Sequence, residues 1–154
     1  AGVDVILFET MGHLEEIEIA LETVKDLNHT IWLSLIMKDK DHILSGHRIN
    51  DVFMLADKNI DCLMLNCNTI AKTNETLEII KDNWINSWGV YPNLGLSEPE
   101  PDGEIEEKVQ ETDFRETIFK YLNMNPKIIG SCCGSSPMHI KMIKEMMKKL
   151  FLSE

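Results

Sequence analysis

A chain of 154 residues holds one ordinary domain with a real core and is too short for two. Fifteen basic against twenty-six acidic residues leave a formal charge of −11, which repels nucleic acid and anionic membrane, so neither is expected as a partner. No apolar run reaches the roughly 18 to 20 residues that span a bilayer, and the N-terminus lacks the basic and apolar regions of a signal peptide, so a soluble, cytoplasmic chain is expected.

Apolar runs and helical stripes alternate along the chain. Val3 to Glu9 (VDVILFE) reads as a strand, and Leu14, Ile17, Ala20, Leu21, Val24 and Leu27 fall at helical spacing after it. Thr30 to Met37 (TIWLSLIM) is a second strand; a polar loop, DKDHILSGH, leads to a helix marked by Ile49, Val52, Phe53 and Ala56. Asp61 to Cys67 (DCLMLNC) is a third strand, with Asn74 as the cap of a helix that carries Leu77, Ile80 and Trp84. Trp88 to Asn93 (WGVYPN) is a fourth, ended by Pro92 and Asn93. A long acidic loop, LGLSEPEPDGEIEE, follows, then a helix striped by Phe114, Ile118, Tyr121 and Leu122. KIIGSCC is the fifth strand, and Ser136 as N-cap with Pro137 at the first helical position opens a last helix with Ile140, Ile143, Met147 and Leu150.

Five such units, with strands apolar on both faces, imply an α/β fold whose parallel sheet is covered by helices. Periodicity leaves an open doubly wound sheet and part of a (β/α)₈ barrel. The turn after the first strand, ETMGHLEE, has a single glycine and gives no support to a dinucleotide fold. Glu9, Asn66 with Cys67, Tyr91 with Asn93, and Cys132 with Cys133 instead mark the C-terminal ends of strands, where a barrel builds its site.

Four cysteines (Cys62, Cys67, Cys132, Cys133) make no disulfide framework here, and clustered thiols in a reducing compartment bind metal or react. Consecutive strand residues face opposite ways, so Cys132 and Cys133 can share an ion only where the alternation breaks; Gly130 and Gly134 allow that bend. With Cys67 they would supply three thiolates and one open position, as in a zinc site that accepts a substrate ligand. Inert buried cysteines and a vicinal redox pair are the competing readings. Cys62, at the other end of its strand, reads as packing.

The segments FET (Phe8 to Thr10), NC (Asn66-Cys67), YPN (Tyr91 to Asn93) and IIGSCCGSSPMHI (Ile128 to Ile140), with WLS and the KDKDHILSG loop, together resemble the C-terminal part of the homocysteine S-methyltransferase family. The match is colinear across nearly the whole chain. It implies a partial (β/α)₈ TIM barrel, residues 1–154 forming the C-terminal portion of a homocysteine-binding domain, its five units matching the family's fourth to eighth strands. It implies a zinc-dependent enzyme that transfers a methyl group to the homocysteine thiol to make methionine. Cys67, Cys132 and Cys133 then occupy the three zinc-ligand positions, and Glu9 resembles the acid that receives the substrate's amino group. Asn66 and Asn93 read as binding substrate or orienting ligands, with plain turn chemistry as the alternative, and Tyr91 reads as a wall of the substrate pocket, with core packing as the alternative. His139, one turn into the last helix, reads as local packing; the other four histidines read as solvated.

The chain departs from the family in lacking any match to the first three strands, including the aspartate-glycine-glycine segment beside the substrate. It is therefore expected to be a barrel fragment that associates through open sheet edges or with an N-terminal segment. Ser131 stands where the family has the second glycine of GGCC. The alternatives are a zinc-binding barrel remnant without catalysis and a thiol redox domain. The methyl donor is left open among S-methylmethionine, S-adenosylmethionine, betaine and folate-linked donors.

Overall fold

The computed structural model describes residues 2–97, 105 and 107–151. Most of the acidic loop, residues 98–104 and 106, lies outside the described residues. The elements run β1 (Val5–Met11), α1 (Leu14–Val24), β2 (Thr30–Leu35), α2 (Ile49–Ala56), β3 (Cys62–Asn66), α3 (Ile70–Asn83), β4 (Trp88–Tyr91), α4 (Glu111–Asn123), β5 (Ile128–Ile129) and α5 (Pro137–Phe151).

The five strands form one parallel sheet in the order β1-β2-β3-β4-β5. A doubly wound sheet reverses its strand order at a switch point. Here each strand is added on the same side of the last, so right-handed crossovers put the helices on one face. The architecture is an arc of a (β/α)₈ barrel. β1 and β5 are its two edges among the described residues.

Pleating sorts the side chains into two layers. Ile31, Leu33, Leu35, Leu63, Leu65 and Val90 belong to one core cluster with Ile17 and Leu21 of α1, Val52 of α2, Leu77 and Ile80 of α3 and Phe114 and Ile118 of α4. Leu33, Leu35, Leu63 and Leu65 are completely buried, each contributing about 2 kcal/mol of apolar burial. The intervening residues form the interior row: Trp32 is level with Cys62, Ser34 with Met64, and Asn66 with Tyr91. The row passes from apolar to polar toward the C-terminal strand ends.

Several local details differ from the sequence expectation: β1 runs on past Glu9 to Met11, and β4 ends at Tyr91 rather than Asn93. Helix α3 begins at Ile70 with Thr69 as its cap, the hydroxyl accepting the Lys72 N–H at 3.3 Å, and Asn74 lies a turn inside. Strand β5 ends at Ile129, so Cys132 and Cys133 stand in the loop beyond it. Pro137 opens α5 as expected, and His139 closes its N-terminus: its Nδ1 accepts the Ser136 N–H at 3.0 Å, while the ring meets Phe114 edge to face at 5.0 Å. No helix among the described residues is long and apolar enough to cross a membrane.

A three-cysteine candidate metal centre

Cys67 follows the last residue of β3 and breaks the strand's alternation by taking a left-handed backbone, φ +55°. That conformation is uncommon outside glycine, asparagine and aspartate. It is held at both ends: the Cys67 N–H donates to the Tyr91 carbonyl at 3.2 Å, and its carbonyl accepts from Asn93 Nδ2 at 2.8 Å.

The other two cysteines arrive from β5. Gly130 N–H donates to Val90 O at 2.9 Å and Cys132 N–H to Pro92 O at 2.8 Å, so this segment tracks β4 after the strand has formally ended. Ser135 Oγ and N–H both bond the Cys132 carbonyl, at 2.6 and 3.2 Å, and Gly134 turns the chain at φ +78°. The Cys132 and Cys133 side chains can therefore lie on one side.

The three sulfurs converge. Cys67 Sγ lies 3.3 Å from Cys133 Sγ, Cys133 Sγ lies 3.8 Å from Cys132 Sγ, and all three fall within 4.8 Å of one another. Cys67 and Cys132 are half-buried and Cys133 is exposed, so the group is open on one side. Burial first, then its two cysteine neighbours, pushes the Cys67 thiol far above its ordinary value, and burial likewise raises Cys132. Three thiolates this close repel each other, so the fully ionised set needs a positive charge in its midst. Soft sulfur donors suit a thiophilic cation such as zinc, and a three-cysteine set leaves one tetrahedral position free. The donor set fits such an ion.

Cys62 takes no part. It is 1% exposed at the opposite end of β3, where burial pushes its thiol up to about 11.

The remaining predicted residues form a polar belt beside the sulfurs. Glu9 is exposed on β1, and Tyr91 reaches across the interior to donate to its Oε1 at 3.1 Å. Burial pushes the Tyr91 hydroxyl well above its ordinary value. Asn66 and Asn93, expected against substrate, are 1% and 0% exposed. Asn66 accepts from Ser34 Oγ at 2.6 Å and donates to Thr10 Oγ1 at 2.7 Å, joining β1, β2 and β3. Asn93 donates to Cys67 and accepts the Gly95 N–H at 3.0 Å. Both amides are thus engaged by protein at each end.

Sequence reasoning passed over Ser34, although one buried serine in an otherwise apolar strand is a usable signal for a polar partner. It also read His42 as solvated. In the loop after β2, His42 Nδ1 lies 2.9 Å from Asp39 Oδ1 and 3.1 Å from Asp41 Oδ1, and the His42 bond holds the Asp39 carboxyl at about 2. This contact ties the loop to itself.

A family model described as homocysteine S-methyltransferase matches residues 1–147. Homocysteine S-methyltransferase 2 of Zea mays is 29% identical over 158 residues, which cover 97% of this chain and 46% of that protein. Homocysteine S-methyltransferase of Escherichia coli (strain K12) is 24% identical over 156 residues, covering 94% and 48%. Among solved structures, the homocysteine methyltransferase MmuM from Escherichia coli superposes in its metallated form with a TM-score of 0.75 at 24% identity, covering 94% of this chain and 45% of that one. Its oxidized form gives 0.77 at 22% identity. These superpositions establish the shared fold. The chain spans about half the length of the relatives it matches.

Proposed function

This chain belongs to the homocysteine S-methyltransferase family, and from that premise we propose that it is the C-terminal, metal-binding portion of a (β/α)₈ barrel that transfers a methyl group to the thiol of homocysteine, forming methionine. The observation that carries the reading is the convergence of Cys67, Cys132 and Cys133 within 4.8 Å at the C-terminal ends of the strands. We assign the ion as zinc. When bound, it supplies a Lewis acid that keeps a thiol sulfur ionised at neutral pH, well below the ordinary thiol pKa of ~8.5.

The chain's own residues bind and orient. Cys67, Cys132 and Cys133 hold the ion and leave a face open to solvent. The Glu9 carboxylate, exposed at the mouth, receives the substrate ammonium, and the Tyr91 hydroxyl fixes its Oε1. Tyr91 also walls the space between carboxylate and sulfurs. Ser34, Asn66 and Thr10 brace the strands that carry these groups. The methyl comes from a donor that itself carries an activated methyl group, with the N-terminal part of the barrel completing its site. Free thiols at a functional mouth suit a reducing compartment, and we place the protein in the cytoplasm.

Elemental analysis of the chain tests the metal reading. About one zinc per chain is expected, lost in Cys67→Ser, Cys132→Ser and Cys133→Ser and retained in Cys62→Ser. Equal zinc in all four variants would refute the site. In a barrel completed with its N-terminal half, Glu9→Ala should keep zinc and raise KM for homocysteine; an unchanged KM removes Glu9 from the substrate site.

A further inference from the structure

Asn66 on β3 and Tyr91 on β4 are level with each other in the sheet, and both side chains reach back across the interior to β1. The Tyr91 hydroxyl donates to Glu9 Oε1 at 3.1 Å, and Asn66 Nδ2 donates to Thr10 Oγ1 at 2.7 Å. Two rungs from neighbouring strands thus end on consecutive residues of a single strand. A regular strand could not receive both, because its consecutive side chains point to opposite faces.

A bulge in β1 resolves this. Phe8 is level with Leu33 and Met11 with Leu35, so Glu9 and Thr10 stand together opposite Ser34. Phe8 and Met11 pack against the core cluster beneath the helices, while the two polar residues between them both face the interior. Thr10 takes up the extra residue with a left-handed backbone, φ +59°, which for a β-branched side chain is an outlier. Strain of this kind persists only where the surrounding contacts over-determine it. The contact is the Asn66 amide, which is itself fixed at its other end by the buried Ser34 Oγ at 2.6 Å.

We propose that Thr10 is a positioning residue for Glu9: its hydroxyl, held by Asn66, keeps the bulge in place and so keeps the Glu9 carboxylate on the interior face, within reach of Tyr91. If Thr10 returned to extended backbone, it or Glu9 would turn into the apolar layer beneath the helices and one rung would be lost. The effect on substrate rests on the reading of Glu9 as the ammonium site. What is added is that the placement of this carboxylate depends on its neighbour.

The contact is read directly by NMR on the full chain. Its two tyrosines, Tyr91 and Tyr121, labelled with carbon-13 at Cζ, give two resonances that Tyr121→Phe assigns, and Glu9→Ala marks where the Tyr91 signal lies once the contact is lost. Thr10→Val removes the hydroxyl at nearly constant volume. Thr10→Gly removes it too but takes a left-handed backbone freely, and it decides should the valine variant not fold. Thr10→Ser restores the hydroxyl. Thr76→Val, which deletes a hydrogen bond from α3 to Lys40 O, controls for general destabilisation. The valine and glycine variants should move the Tyr91 resonance toward its position in Glu9→Ala. In a barrel completed with its N-terminal half they should raise KM for homocysteine about fivefold with kcat changed less. Thr10→Ser should keep the wild-type resonance and KM, and Thr76→Val should lower only the melting temperature. An unmoved resonance in both hydroxyl-free variants would overturn the proposal. A shift in valine alone would do the same, since it would assign the effect to the β-branch, and so would an equal shift in Thr10→Ser or Thr76→Val. If Glu9→Ala leaves KM unchanged, the ammonium reading fails, and the Tyr91 resonance in the Thr10 variants still decides whether Thr10 places Glu9.

Discussion

The hydroxyl of Tyr91 on β4 donates to Glu9 Oε1 on β1 at 3.1 Å, a bond that spans the sheet's interior past β2 and β3. It fixes one carboxylate oxygen and leaves the exposed carboxylate available at the mouth. In a completed barrel, Tyr91→Phe should raise KM for homocysteine about fivefold, the effect of one hydrogen bond near 1 kcal/mol, with kcat changed less. Steady-state kinetics check it; a fall in kcat at unchanged KM would mean that Tyr91 serves the methyl donor instead.

Asn66 joins Ser34 and Thr10, so its loss disconnects three strands at their C-terminal ends. Asn66→Ala leaves Ser34 Oγ buried without its partner and should cost about 2 kcal/mol. For a chain of this length that lowers the melting temperature by roughly 4 to 8 °C. Calorimetry should register the loss with and without zinc.

The buried Cys62 thiol predicts the alkaline edge of stability. Its folded pKa of about 11 lies above the ordinary 9.0, so the unfolded chain releases this proton first as pH rises. The contribution is whole below pH 9 and is lost between about 9 and 11. Urea midpoints measured across that window should fall in the wild-type chain and fall less in Cys62→Ala. Parallel curves would assign the alkaline loss to other groups.

Among the described residues the sheet ends at β1 and β5, and apolar side chains are exposed on the elements at both ends: Val3, Leu7 and Ile19 at one, Met138, Ile140 and Met147 at the other. A closed barrel has no such edges. The chain alone is expected to associate through them and to give no measurable homocysteine methylation. Adding the first three βα units in trans should raise the melting temperature and restore turnover with a suitable donor. Turnover by a metal-loaded monomer of this chain would overturn the need for strands beyond these five.

The strand and helix pattern was legible because each strand is a short apolar run and each helix repeats its apolar residues every three to four positions. The arc, rather than a doubly wound sheet, rested on polar residues at the strand ends and on family resemblance, since periodicity carries no strand order. The run KIIGSCC hid where β5 stops: hydrogen bonds to β4 continue through Gly130 and Cys132 after regular pairing ends at Ile129. Thr69 and Asn74 are both capping residues, and only the fold chooses between them. Least legible were the Glu9 to Tyr91 bond, 82 residues apart, and the engagement of Asn93 with Cys67, 26 apart, because side-chain type says nothing of which distant carbonyl or carboxylate it will meet.

The left-handed backbone at Cys67 sets two kinds of selection against each other. Glycine would relieve that conformation at no steric cost and would gain, from the folded side, about the 1–2 kcal/mol now stored there, offset by its greater freedom when unfolded. A screen for thermostability alone would then accept Cys67→Gly as neutral or favourable while discarding a proposed metal ligand. Such a variant should melt near or above the metal-free wild-type chain, yet gain nothing when zinc is added, whereas the wild-type melting temperature climbs with zinc concentration. A cysteine held in a glycine's conformation is what a stability–activity trade-off looks like at a single position.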